Sequence, residues 1–133
     1  MSIVFLLGRV LFSAIFIMSG INHFTHLEYM SQYAASAKLP APKLAVAVSG
    51  LMILAGGLSI LLGVAVPVGT ALLFLFLVPT AFTMHRFWGI QDPMMAATQQ
   101  AHFMKNMGLA GAALLIHYFS ALHPEAWVYS LGH

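Results

Sequence analysis

The amino-acid sequence predicts an all-α fold, an antiparallel four-helix bundle that is integral to a membrane. Four mainly apolar stretches, residues 3–24, 44–63, 66–84 and 103–122, are each close to the ~20 residues that a membrane-crossing helix needs. The composition agrees, because 61% of the 133 residues are hydrophobic and only 6% are charged, too few for the surface of a water-soluble protein. The spans and their connections use almost the whole chain, so we expect a single transmembrane domain over residues 1–133.

Individual spans carry further structural signals. The first, residues 3–24, runs into a polar segment without a convincing cleavage site, so it is interpreted as a retained helix and not as a secretory signal. The third contains Pro79, which leaves the Leu75 carbonyl without its helical donor and predicts a bend. In the fourth, Gly108 and Ala112 lie one turn apart, a spacing that favours close packing against another helix.

The connections between the spans predict the topology. Two polar loops, residues 25–43 and 85–102, alternate with a tight turn at residues 63–67, so consecutive helices zigzag and both long loops lie on one side. Most of the lysine and arginine residues belong to this side. By the positive-inside rule, the long loops are therefore expected in the cytoplasm.

The composition also excludes several kinds of chemistry. Cysteine is absent, which removes thiolate nucleophiles, thiolate metal ligands and disulfide exchange. The five Lys and Arg residues form no cluster that would follow a nucleic-acid backbone, so we expect no nucleic-acid partner. The serine, histidine and acidic residues are not arranged as a nucleophile elbow or a hydrolytic triad.

Polar residues in or beside a span are costly unless they are paired or face a cavity, so they indicate candidate sites. One group collects where the first, third and fourth spans meet the long loops, and it predicts a ligand-binding site. Its aromatic member, Trp88, is suited either to an interfacial belt or to stacking on a planar ring. The candidate residues are Asn22, His23, His85, Arg86, Trp88, His102, Lys105 and Asn106.

A metal site is not predicted at this end of the bundle. The alternative would use four histidines, His23, His26, His85 and His102. They include no helical i, i+4 pair of the kind that zinc proteases use. Histidines at a membrane interface commonly bind headgroups and water instead.

A second polar layer is predicted at the opposite end, from Arg9, Thr70 and His117. At ~100° per residue, Arg9 shares one helix face with the residues of a stripe that should point into the bundle. No span contains a carboxylate for Arg9, which leaves Glu125, the chain terminus, backbone carbonyls, lipid phosphate or a bound anion as partners, with snorkelling to the headgroups as the alternative. The full stripe is Arg9, Ser13, Phe16, Gly20 and His23.

Several short motifs together resemble the DoxX family of small bacterial membrane proteins. In chain order they are GR at residues 8–9, SGINHF at 19–24, LLG at 61–63, HRFW at 85–88 and QQAHFMKN at 99–106. The resemblance implies a four-helix protein of the bacterial inner membrane. Some members are subunits linked to quinone reduction, as in thiosulfate:quinone oxidoreductase, and others are associated with oxidative-stress complexes.

One position departs from the family pattern. Members often carry a glutamate in the second span ahead of paired glycines, and Ile53 stands at the matching place here. A membrane carboxylate that would pair with Arg9 or relay protons is therefore missing, which favours a binding or subunit role.

Two functions remain open from the sequence. In the first, the chain is a membrane subunit of quinone-dependent redox chemistry, without an intrinsic cofactor, and a soluble or flavin-bearing partner supplies the electrons. His85 or His102 would then exchange a proton with the ring, and Lys105 or Arg86 would stabilise its negative charge. In the second, it is a non-catalytic scaffold or assembly subunit of a larger complex. A small-molecule or anion transporter is a third alternative, and a homo-oligomer is compatible with all three.

Overall fold

The computed structural model describes residues 1–132, and this part of the chain contains helices and their connections but no strand. The all-α prediction is therefore confirmed. Three of the helices, α1, α3 and α4, are long and apolar enough to cross a membrane. The helices are α1 (Ser2–Thr25), α2 (Leu27–Ser36), α3 (Pro42–Leu62), α4 (Val66–Met84) and α5 (Pro93–Leu122), followed by a 3-10 turn (Pro124–Ala126).

The boundaries of the first three predicted spans agree closely with α1, α3 and α4. The fourth ends at Leu122 as predicted, but its helix begins at Pro93 and not at residue 103. α5 is 30 residues long, but it is less apolar than the other three, because polar residues such as Lys105 and Asn106 interrupt its apolar run. A fourth membrane span therefore stays a prediction.

Both predicted long loops are partly helical, which corrects the sequence-based interpretation. The segment at residues 25–43 contains α2, which packs on α3 and buries Ser31 and Ala34. In the segment at residues 85–102, α5 already begins at Pro93, with Asp92 as its N-cap. The Asp92 carboxylate accepts a hydrogen bond from the backbone N–H of Met94 at 3.0 Å.

The helices pack in a defined order around an apolar core. α1 packs on α3, α3 on α4 and α4 on α5. Many large side chains face outward, for example Leu11 and Leu115 with 75% and 71% of their surface exposed, as expected for helices that are solvated by lipid. The buried core consists of Phe16, Ile53, Ile60, Val66, Leu73, Leu77, Ala110 and Trp127.

Glycine allows α1 and α3 to approach closely. A Cβ atom added at Gly50 would lie 2.7 Å from the Cβ atom of His23, and one added at Gly20 would lie 2.9 Å from the Cβ atom of Leu54. Real side chains do not tolerate such distances, so both positions require glycine for this packing. The close approach fixes the position of His23 against α3.

The buried face of α1 is the predicted one. Its buried residues are Arg9, Ser13, Phe16, Gly20 and His23. These five residues recur every three or four positions, which places them on one side of a helix with 3.6 residues per turn. The stripe therefore faces the bundle, as the sequence predicted.

Candidate functional site

A cavity of about 440 Å³ lies near the end of the bundle at which α1 and α4 terminate. Its volume falls within the range of about 300–1,000 Å³ that small-molecule sites occupy. Most of its wall is apolar, and all five helices contribute to it. The polar groups of the wall include His23, Tyr33, His85, Lys105 and Asn106.

Asn106 contributes an amide with unused hydrogen-bonding capacity. The residue lies on the buried face of α5 and is only 6% exposed. Within residues 1–132, no hydrogen bond to its side chain is formed, although the side chain lines the cavity. Because the amide atoms remain accessible from the cavity, they are available to a polar group of a bound ligand.

His23 presents a second polar atom to the cavity. Its Nδ1 lies 2.7 Å from the carbonyl oxygen of Ser19, one turn earlier on α1, so Nδ1–H donates to that carbonyl. The neutral ring then carries an acceptor at Nε2, which has no hydrogen-bond partner among the described residues. The ring is 5% exposed and meets Phe76 edge-on, with 6.0 Å between the ring centroids.

A hydrogen-bonded chain of side chains joins three helix ends at the rim of the cavity. The Nδ1–H group of His85 donates to Oε1 of Gln99 at 3.0 Å, and the amide of Gln99 donates to the Tyr33 hydroxyl at 3.2 Å. The Tyr33 hydroxyl lies 3.5 Å from the carbonyl oxygen of Met84. Tyr33 therefore ties α2 to the ends of α4 and α5 beside the cavity.

Sequence reasoning missed the roles of Tyr33 and Gln99. Tyr33 was assigned to a loop because the polar composition of residues 25–43 obscured α2. The spacing of Leu27, Met30 and Ala34 was the available signal, since it is that of an amphipathic helix.

The electrostatics of this rim act on His85. Burial lowers the pKa of His85 below its ordinary value, and electrostatic repulsion from His102 and Lys105 lowers the pKa further. The hydrogen bond to Gln99 raises the pKa and opposes part of this effect. The ring of His102 stacks on that of His85, with 5.1 Å between their centroids.

The remaining predicted residues lie outside the cavity wall. Asn22 and Arg86 are exposed, and neither lines the cavity. His102 contacts His85 but is likewise not part of the wall. Trp88 packs against aromatic neighbours and does not line the cavity. Its aromatic neighbours are Phe82, Phe87 and Phe103.

The histidine alternative for a metal centre receives no support from residues 1–132, where no group of three or more His, Asp or Glu side chains is suited to hold a metal ion. His26, one of the four histidines, instead pairs through Nδ1 with the Thr25 hydroxyl at 2.9 Å.

Arg9 is enclosed by backbone carbonyls and an aromatic ring. Its Nε donates to the Ile60 carbonyl at 3.2 Å, and its Nη2 donates to the Leu61 carbonyl at 2.6 Å. Nη1 donates to the Val128 carbonyl at 2.6 Å, and the guanidinium carbon lies 5.0 Å from the centre of the Trp127 ring. With 2% of its surface exposed, Arg9 does not snorkel, so that alternative is wrong.

Two of the hydrogen-bond acceptors of Arg9 are carbonyls at the end of α3. The last carbonyls of a helix have no intrahelical donor and carry the negative end of the helix dipole, and Ile60 and Leu61 lie in the last turn of α3. Glu125, a candidate counter-ion from the sequence, instead pairs with His123 at 3.0 Å. The carboxylate of Glu125 has a lowered pKa because it accepts hydrogen bonds from its own backbone N–H and from His123.

The second polar layer separates into two parts. The Thr70 hydroxyl lies 2.8 Å from Nδ1 of His117, and it also bonds to the carbonyls of Val66 and Pro67 at 3.0 Å each. No hydrogen bond joins this pair to Arg9 within the described chain. The layer is thus an Arg9 centre and a separate Thr70–His117 pair.

A family model described as DoxX matches residues 4–86 of the chain. The chain belongs to the DoxX family. The matched region holds three apolar helices that qualify as membrane spans, so the protein is a multi-pass DoxX membrane protein. No curated protein and no solved structure matches the chain.

The DoxX match covers only part of the cavity wall. His23 and His85 lie inside the matched residues, whereas Lys105 and Asn106 lie beyond them on α5. Ile53, which stands where DoxX proteins were expected to carry a glutamate, is fully buried in the apolar core. In this DoxX chain the charge of Arg9 is therefore met by carbonyls and not by a carboxylate from α3.

Proposed function

We propose that this DoxX protein is a membrane subunit that binds a quinone ring in the 440 Å³ cavity, with a partner subunit supplying electrons. Two accessible polar groups on the wall of a largely apolar cavity support this proposal, the Asn106 amide and Nε2 of His23, neither of which has a partner among the described residues. A quinone combines an apolar ring with carbonyl oxygens that need a few donors. The Asn106 N–H groups suit one carbonyl oxygen, and Nε2 of His23 suits a hydroxyl of the reduced form.

We assign proton transfer to the rim of the cavity. Reduction of a quinone consumes protons as well as electrons, and His85 lies between the cavity and the aqueous end of the bundle. His85 can take up a proton at Nε2 from the aqueous end and pass it to the reduced ring, and the pKa lowered by burial favours the release of that proton. Gln99 orients the ring by accepting from Nδ1. Lys105 adds a positive charge that favours a negatively charged oxygen on the ligand.

Electrons must reach the ring from another protein. The chain contains no cysteine to bind an iron–sulfur cluster, so we assign electron delivery to a soluble or flavin-bearing partner at the exposed loop end. Arg86 and Trp88 are exposed there, outside the cavity, and are available to such a partner.

The proposal includes a four-span antiparallel bundle in the bacterial inner membrane, with α5 as the fourth span and the long connections in the cytoplasm. Two contacts support this arrangement of α5. Phe119, near its end, lies 5.0 Å from Phe5 near the start of α1, and Phe103 lies 5.1 Å from Phe82 near the end of α4. Together with the packing of α5 on α4, these contacts are consistent with α5 as the fourth span.

The test compares matched pairs of variants in lipid nanodiscs, using equilibrium binding of a radiolabelled menaquinone. Asn106→Leu and His23→Leu should each weaken binding about three- to tenfold, the effect of losing one buried hydrogen bond. Asn22→Leu and His26→Leu make the same chemical changes at exposed positions nearby and should leave binding unchanged.

Equal binding by all four variants would remove the cavity from the proposal. If the wild-type protein bound no quinone but purified reproducibly with another protein, the scaffold function would replace the redox function.

A further inference from the structure

A second cavity, of about 300 Å³, lies between α4 and α5. Its wall is apolar apart from one end, where Thr70 and His117 hydrogen-bond to each other. The paired polar groups make little demand on a ligand, so the cavity suits a hydrocarbon better than a polar molecule. The apolar wall is formed by Ala71, Phe74, Leu75, Ala113 and Leu114.

The two cavities adjoin along both helices that form the second one. On α4, Leu75 lines both cavities. On α5, Leu109 lines the first and Ala113 lines the second, and these residues lie about one helical turn apart. From Thr83 to Ala71 the combined wall follows α4 for ~18 Å, at ~1.5 Å per residue.

We propose that the second cavity holds the tail of the ligand, so that the protein selects an isoprenoid quinone and not a tailless ring. This inference rests on the proposed quinone function. The ring lies at Asn106 and His23, and the tail follows the groove between α4 and α5 past Leu75. Leu75 and Leu114 are 59% and 54% exposed, so the groove is open to lipid along its side and a tail enters it from the bilayer without threading through the bundle.

The energetic effect of this groove is modest and specific. A tail in lipid is already in an apolar medium, so moving it into the groove yields little hydrophobic free energy. Its gain comes from van der Waals contacts with a shaped wall, which are individually small and add up over many atoms. The groove therefore affects only ligands that have a tail, and filling it should leave the ring site intact.

The experiment fills the groove from its exposed side. Ala71 is exposed and lines the second cavity, so Ala71→Phe occupies the groove without entering the core. Ala14→Phe makes the same change at an exposed position of α1 that lines neither cavity. Binding of menadione, which has no tail, and of a menaquinone with an isoprenoid tail is measured in nanodiscs for wild-type protein and both variants.

We expect Ala71→Phe to weaken the tailed menaquinone about fivefold, the scale of losing many small dispersion contacts, and to leave menadione unchanged. Ala14→Phe should change neither. A second pair of variants keeps the test decisive if Ala71→Phe folds poorly. Leu114→Trp fills the groove from α5, and Leu115→Trp is its control, because Leu115 is exposed on the same helix but does not line the groove.

Unchanged binding of the tailed menaquinone in both groove variants would overturn the inference, as would an equal loss for both quinones. These results differ from failure of the proposed function itself, in which neither quinone binds the wild-type protein.

Discussion

Replacement of Arg9 by methionine tests how this membrane protein accommodates a buried charge. Arg9 donates to the carbonyls of Ile60, Leu61 and Val128, and thereby joins α1 to the last turn of α3 and to the C-terminal segment. Methionine keeps much of the length of the side chain and removes every donor. The three carbonyls then lose their partners in an environment with little water, and the ring of Trp127 loses its cation.

The size of the effect follows from these contacts. A hydrogen bond from a charged group contributes about 1.5–3 kcal/mol, so the three bonds of Arg9 together contribute about 4.5–9 kcal/mol before the cost of desolvating the guanidinium is subtracted. Since part of the gain offsets the cost of desolvating the guanidinium, we expect Arg9→Met to lower the free energy of unfolding by about 3–5 kcal/mol. For a chain of this size, at roughly 4 °C per kcal/mol, Tm should fall by roughly 10–20 °C.

The assay is thermal unfolding of the purified protein in nanodiscs, with Arg86→Met as the control. Arg86 is exposed, so the same substitution there should leave Tm nearly unchanged. Arg9→Lys should fall between the two, since an ammonium keeps the charge but cannot reproduce the planar fork of donors. If Arg9→Met and Arg86→Met had the same Tm, the hydrogen bonds of Arg9 to the three carbonyls would not stabilise the fold, and the reasoning would be refuted.

Two further predictions concern the residues around the cavity. Because the pKa of His85 is lowered in the folded protein, the unfolded chain binds more protons just below the ordinary value of 6.5, so stability should decrease as pH falls through that value. Lys105→Met removes a charge that lowers the His85 pKa, so its free energy of unfolding should decrease less with falling pH than that of the wild-type protein. The same pH dependence in both proteins would contradict this. Gly50→Ala should lower stability by about 1–3 kcal/mol by pressing on His23, whereas Gly111→Ala, which meets open space, should be neutral or stabilising; equal Tm values would argue against the close packing.

The sequence predicted those features that depend on helical periodicity. The buried stripe of α1 was predictable because a polar residue such as Arg9 or Ser13 recurs at a helical spacing within an apolar span, and lipid penalises any other orientation. The meeting of His23, His85, Lys105 and Asn106 at one cavity was predictable for a related reason. Consecutive helices that zigzag bring the end of one beside the start of the next.

Other features depend on tertiary contacts that no local pattern encodes. The partners of Arg9 are backbone carbonyls, which every residue has, so the sequence could not show that those of Ile60 and Leu61 would be the ones used. The start of α5 was more accessible, because Asp92 followed by Pro93 is a typical helix beginning, but the polar composition of the segment concealed it. The exposure of Asn22, next to the buried His23, follows from the ~100° rotation between neighbouring residues.

The most direct measurement is mass analysis of the small molecules that remain bound to the protein after mild detergent purification from its native membrane. It should be made in parallel for the wild-type protein, Asn106→Leu and Asn22→Leu. We expect near-stoichiometric isoprenoid quinone in the wild-type protein and in Asn22→Leu, with clear depletion in Asn106→Leu. Absence of quinone from the wild-type protein, or equal content in all three, would contradict the assignment of the cavity as a quinone site.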